Sequence, residues 1–236
     1  SSLGPCYIIV DGRNSSTREA RRIMTQTGEP GLIVILNGVP RSGKSSIVAV
    51  IQETFDGPWM NLGVENYKER VMPQRYSPGI GLRPGGELPD IEPLIAVFYA
   101  AMYESIAAHS RLGLNVVVDV GHHDGYSVPR GILADCARRL DGLPVLFVGV
   151  RGPVEVIWER YRNTWLREQD LPADAPVPDP VQQWPREVHK PGLYDLEVDT
   201  SLLSPEECAE TIRNHLDDDP APSAFRRLAA MPSDRG

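Results

Sequence analysis

Eight consecutive residues, Gly38-Val39-Pro40-Arg41-Ser42-Gly43-Lys44-Ser45, carry the strongest chemical signal in the chain. They satisfy the GxxxxGK(S/T) spacing in full, directly after the apolar run "LIVIL" and directly before an amphipathic pattern of helical spacing. The chemistry of such a loop is phosphate binding. Glycines let backbone N–H groups converge on phosphate oxygens, and the N-terminus of the following helix adds a favourable dipole. In this arrangement Lys44 bridges the outer phosphates and the Ser45 hydroxyl binds Mg2+. A chance glycine turn would lack the flanking strand and helix. The stretch therefore predicts a nucleoside triphosphate site formed by Gly38, Arg41, Ser42, Gly43, Lys44, Ser45 and Ser46.

Two acids and two arginines are candidates for the rest of a phosphoryl-transfer site. Asp119 ends the apolar run "VVVD", where a strand-end carboxylate holds Mg2+ directly or through water. The competing reading is an ordinary Asp capping a turn. Glu65 ends "NLGVE". It is either a solvated acid in the first turn of a helix over "ENYKERVM" or a carboxylate addressing an acceptor hydroxyl across from the γ-phosphate. Arg160 and Arg167, in "ERYRNTWLREQD", offer rigid guanidinium forks that could clamp phosphates from a lid.

Other chemistry-bearing residues weigh less. His122 and His123 are adjacent, so their side chains point apart, and no third ligand has suitable spacing for a transition metal. A substrate contact by either histidine stays open. Trp158, Tyr161 and Trp165 recur at helical spacing and read as packing. Phe98, Tyr99 and Tyr103 read similarly, with the option of walling an apolar acceptor pocket.

These residues must be positioned by a scaffold, and the chain alternates two patterns that supply one. Short β-rich runs stand at 32–36, 59–64, 115–120, 144–150 and 194–199. Between them, Ile47, Val48, Val50, Ile51 and Phe55, and later Leu94, Ile95, Phe98, Met102 and Ile106, repeat at helix spacing. Pro129 and Pro153 suit first helical turns, and Ser204 with Glu207 makes a capping box. Strands apolar on both faces that alternate with helices predict an α/β fold, a five-stranded parallel sheet in a three-layer α/β/α arrangement.

The expected organisation is an N-terminal extension (1–30, with a Ser16–Glu19 capping pattern), a main domain (31–216) and a C-terminal tail (217–236). Within the domain, the Gly/Pro-rich stretch 77–93 reads as a long acceptor loop, and 160–193 as a lid whose proline-rich part lacks periodicity. A net charge of −8 argues against a nucleic-acid or anionic-membrane surface. Three scattered cysteines, Cys6, Cys136 and Cys208, without a CxxC pair, and no signal-like N-terminus or spanning apolar run, lead to the expectation of a cytoplasmic protein. No NKxD-like segment reads guanine, which disfavours a regulatory GTPase; a small-molecule kinase fits better. The open alternatives are a kinase of a nucleotide-sugar or other metabolite, toxin-type kinases included, and a non-catalytic ATP-dependent switch.

The order GxxxxGKS, "PWMNLGV" plus an acid, "VVVD", "VGVR" and "EVHKPGLYDLEVDTS" resembles the chloramphenicol phosphotransferase-like kinases over residues 31–216. The resemblance implies a P-loop kinase of the nucleoside/shikimate-kinase type. It implies transfer from ATP (or GTP), with Mg2+, to a hydroxyl of a small antibiotic, for resistance or self-protection. It also implies that Glu65 is the acid that accepts the hydroxyl proton, and that Arg160, and Arg167 with it, belong to the lid. Three departures stand out: Glu65 replaces an aspartate, Asp119 is followed by Val120 rather than a second acid, and the lid lacks the family's RGDR run. The acceptor is accordingly expected to differ from chloramphenicol, a nucleoside or other natural-product antibiotic being one option.

Overall fold

A computed structural model of the chain describes residues 28–76, 79–86, 88–168, 179–218 and 224–232, the side chains of 164–168, 180 and 181 excepted. The Ser16–Glu19 pattern and most of the N-terminal extension lie outside the described residues. The five β-rich runs form strands β1 (Ile33–Asn37), β2 (Trp59–Asn61), β3 (Asn115–Val120), β4 (Val145–Arg151) and β5 (Leu196–Asp199). All neighbours pair in parallel, in the order β2-β3-β1-β4-β5. The helices among the described residues are α1 (Lys44–Thr54), α2 (Glu92–Arg111), α3 (Ile132–Arg139), α4 (Val154–Glu168), α5 (Asp179–Glu187), α6 (Pro205–Asp217) and α7 (Ala224–Ala229). None is long and apolar enough to cross a membrane.

Parallel strands need crossovers, and the crossovers cover both faces of the sheet. Every residue of the central strand β1 is buried, which is why its sequence is apolar up to the closing Asn37. Ile33 and Ile35 pack toward α2, α3 and α7 on one side; Val34 and Leu36 pack toward α1 and α6 on the other. Ile47 and Ile51 of α1 are fully buried, each contributing about 1.5–3 kcal/mol by leaving water. The Ser204 capping box starts α6: Ser204 Oγ accepts from the Glu207 amide and Glu207 Oε2 accepts from the Ser204 amide.

Two local expectations need correction. Pro129 stands ahead of α3 rather than in its first turn; the Asp124 carboxylate takes the amides of Arg130 and Gly131, and the helix begins at Ile132. The lid stretch expected to lack regular structure holds α5, although Pro185 lies inside it and removes a hydrogen bond. Packing compensates: Trp184 lies against Val39, Ile157 and Val188 in a small cluster of their own.

The register sets the site. Leu36 lies beside Asp119 across β1 and β3, and Asn37 lies beside Val120 and Gly149. The loops leaving β1, β2 and β3 therefore open along one edge, the carboxyl edge, where ligands of open α/β sheets bind.

Candidate active site

The loop after β1 wraps the Lys44 ammonium, which donates to the carbonyls of Gly38 (2.7 Å) and Val39 (2.8 Å), with Ser42 Oγ at 3.5 Å. Burial pushes the Lys44 pKa down from 10.5 to about 8, against the opposing pull of Asp119 and Glu65. A buried cation held only by neutral oxygens is suited to an anionic ligand. Gly43 caps α1 with φ of 91°, a left-handed conformation, and sits against Thr200. Arg41 also has positive φ (65°), which costs a non-glycine residue about 1–2 kcal/mol. Its exposed side chain borders the cavity, as do Gly38, Ser45 and Ser46.

Ser45 Oγ donates to Asp119 Oδ2 at 2.9 Å. A hydroxyl and a carboxylate in contact beside a phosphate loop are hard oxygen donors of the kind Mg2+ takes. The Asp119 side chain occupies space that only glycine leaves: a Cβ on Gly63 would stand 1.7 Å from Asp119 Oδ1. Gly63 is therefore part of the site. It stands two residues after β2, and its role emerges only through the pairing of β2 with β3.

Glu65 lies in a helical turn over Val64–Asn66 that continues as a wider turn over Tyr67–Val71. It borders the same cavity, and its Oε2 accepts from Lys68 Nζ at 2.8 Å. The pair is partly exposed and orients the carboxylate only weakly. The loop holding Ile80 and Leu82, whose Gly81 lies beside Lys68, forms an apolar wall with Val64 and the α2 residue Tyr99. That loop is pinned to the segment after β3: His123 Nε2 donates to the Leu82 carbonyl (2.8 Å), and the Gly85 amide donates to the Gly125 carbonyl (2.6 Å). The buried Glu92 carboxylate takes the Ser127 amide and hydroxyl and Arg130 Nη2. His122 is buried against Tyr103 and Tyr99, with Nε2 at 2.7 Å from the Tyr103 hydroxyl. Burial, and the neighbouring His123 after it, push the His122 pKa down to about 3, so the ring is neutral at physiological pH.

Arg160 lies on α4 and borders the cavity. Its guanidinium donates to the Thr200 carbonyl (3.1 Å) and hydroxyl (3.3 Å), and the Thr200 hydroxyl donates to the Ser42 carbonyl (2.9 Å). A lid arginine thus fastens α4 to the back of the phosphate loop while bordering the cavity. The Arg167 side chain lies outside the described residues. Tyr161, taken from the sequence as packing, borders the cavity together with Trp184, the two rings meeting edge to face at 6.3 Å. Trp184 and Thr200 were not singled out; neither has a spacing signal until α5 and β5 bring it to the phosphate loop.

Lys44, Ser45, Asp119, Glu65, Tyr99 and Arg160 line one cavity of about 850 Å3. A phosphate loop, a hydroxyl and a carboxylate in contact beside it, and a second carboxylate on the same cavity fit a nucleotide-binding phosphotransferase with a P-loop kinase fold. Comparison with known proteins gives the same class. The chain belongs to the chloramphenicol phosphotransferase-like family, whose model matches residues 31–217. A Mycobacterium tuberculosis (strain H37Rv) protein bearing the provisional name O-phosphotransferase is 26% identical over 225 residues, 88% of this chain and 92% of its own. Among solved structures, the APS kinase of M. tuberculosis matches with a TM-score of 0.53 at 16% identity, over 80% of this chain and 99% of its own. Shikimate kinase from Acinetobacter baumannii also reaches 0.53, at 13% identity, over 84% and 98%. At these identities the structural likeness speaks for the fold alone.

Proposed function

We propose that the protein transfers the γ-phosphoryl group of ATP, with Mg2+, to a hydroxyl of a small natural-product antibiotic other than chloramphenicol. The observation that carries this reading is one cavity shared by the Lys44 loop and the Glu65 carboxylate. Glu65, paired with Lys68, receives the proton as the acceptor oxygen bonds to phosphorus and ADP departs. Ser45 and Asp119 would hold Mg2+, which when bound would supply charge neutralisation for the phosphates. Lys44 and the loop amides hold them in line.

The acceptor end favours a compact body with apolar surface. Val64, Ile80, Leu82 and Tyr99 offer it buried side chains, and the exposed acids Glu65 and Glu69 at the mouth would repel the pyrophosphate of a nucleotide sugar. Replacement of the family's aspartate by Glu65 moves the carboxylate outward by one methylene, which suits a differently placed hydroxyl. Protection of the host follows from the chemistry, because a dianionic phosphate on the critical hydroxyl alters both shape and charge. The test is an acceptor panel scored by mass gain of one phosphate, with Lys44→Ala as the inactive control. Glu65→Gln should retain nucleotide binding and lower transfer by about 10²–10⁴-fold. Turnover unaffected by Glu65→Gln, or a panel without any acceptor, would overturn the proposal.

A further inference from the structure

Asn37 closes β1 one residue before the phosphate loop, and it is 1% exposed. Its carboxamide makes three bonds outside the sheet. Oδ1 accepts from the backbone amide of His122 at 2.8 Å. Nδ2 donates to the Val188 carbonyl at 2.9 Å and to the Tyr194 hydroxyl at 2.8 Å. An apolar side chain would fill a strand end in this core at lower desolvation cost, so the amide is retained for what it ties together.

The three partners belong to two segments that flank the cavity. His122 begins the segment that pins the acceptor loop, and its ring stacks on Tyr99, the acceptor wall, at 4.7 Å between centroids. Val188 follows α5 directly and packs with Trp184 against Val39 of the phosphate loop. Tyr194, having accepted from Asn37, is placed to donate to His189 Nδ1 at 2.8 Å. That direction requires an unprotonated His189 Nδ1. Burial, followed by the charge of Arg151, pushes the His189 pKa down to about 4, so the ring is neutral, and the Nε2–H tautomer leaves Nδ1 as acceptor. One side chain thus joins the phosphate loop, the acceptor wall and the base of the lid.

We propose that Asn37 is a positioning residue for phosphoryl transfer, holding lid base and acceptor wall in register with the phosphate loop so that nucleotide binding stiffens both. This rests on the kinase reading of the same cavity. Asn37 touches neither substrate; it acts through His122, Val188 and Tyr194.

Hydrogen–deuterium exchange with and without Mg2+ and the ATP analogue AMPPNP tests it, on the wild type, Asn37→Ala and Tyr194→Phe. In the wild type the analogue should slow exchange in peptides covering 121–127 and 182–194, as well as in the phosphate loop. In Asn37→Ala the added protection of both flanking peptides should fall by at least about fivefold, the worth of one hydrogen bond. Protection of the phosphate loop itself should persist. Tyr194→Phe, which spares the His122 bond, should lose protection at 182–194 only, and it carries the test if Asn37→Ala does not fold. ADP release without an acceptor, relative to release with one, should rise in both variants as water gains access. If AMPPNP fails to bind the wild type, the kinase reading falls and this inference with it. If it binds and the variants keep wild-type protection at both flanks, the inference alone is refuted.

Discussion

Nucleotide binding to this protein should take up protons, and the amount can be worked from Lys44. The unliganded ammonium is buried among carbonyls with its pKa at about 8. Phosphate oxygens placed against it restore a value above 10 by direct charge pairing. Binding Mg2+–AMPPNP should then take up about 0.1 proton at pH 7, about 0.5 at pH 8 and about 0.9 at pH 9. Calorimetric titrations at each pH, run in two buffers of different ionisation enthalpy, measure this number as the slope of observed heat against that enthalpy. Lys44→Arg, charged throughout the range, should bind with a slope near zero. The linkage has a definite sign. The folded pKa lies below the unfolded one, so between about pH 8 and 10.5 the unfolded chain holds more protons and stability of the unliganded protein rises with pH. The full gain corresponds to about 3 kcal/mol. Heats independent of buffer at pH 8 and 9 would refute the claim that Lys44 is a desolvated cation awaiting its anion.

The remaining predictions address the other supports of the site. Gly63→Ala should cut transfer by at least about 10²-fold, because its Cβ would displace the Asp119 carboxylate, while circular dichroism stays native. Asp119→Asn should raise the Mg2+ concentration for half-maximal transfer by about tenfold or more, read from a metal titration at saturating nucleotide. Glu92→Gln should cost about 3 kcal/mol in urea unfolding at pH 7, since it leaves Arg130 without its carboxylate. Burial raises the Glu92 pKa, but the bonds from Ser127 and Arg130 outweigh it and hold it below 4.5. Its contribution is therefore present above the unfolded value, is lost as pH falls through the folded one, and the variant and wild type should converge in acid.

What was legible in the sequence follows from how local each feature is. β1 reads directly because it is buried on both faces, and the phosphate loop reads because eight adjacent residues make it. Asp119 reads because an acid after "VVV" stands out at the end of a buried strand. Gly63 and Asn37 were silent, since their work lies in contacts with Asp119, 56 positions away, and Val188, 151 positions away. Residue type left one contact of Arg160 unread: besides bordering the cavity, it bonds to Thr200, 40 positions away. The helix α5 escaped because a proline-bearing, non-periodic segment is stabilised there by Trp184 and Val188 packing on Val39, a tertiary contact that local propensity does not contain.

The two ends of the cavity differ in how they are built, and the difference bears on acceptor choice. At the phosphate end every key group is tied to the sheet: Lys44 to the loop leaving β1, Ser45 to Asp119 on β3, and Ser42 to Thr200 after β5. Substitution there disturbs neighbours with no freedom to move, so this end is suited to a ligand that never varies, the triphosphate. At the acceptor end, Glu65 sits in a short turn after β2, and Ile80 and Leu82 sit on a loop held by a few bonds to the segment after β3. Changes in this loop alter the wall without touching the metal pair. The carboxylate pairs with Lys68, three residues along the same turn, and Lys68 in turn lies beside Gly81 of that loop. On the proposed kinase reading, the acceptor wall and the phosphate loop belong to separate segments, so replacing the wall's loop should change the acceptor while the phosphate loop stays constant.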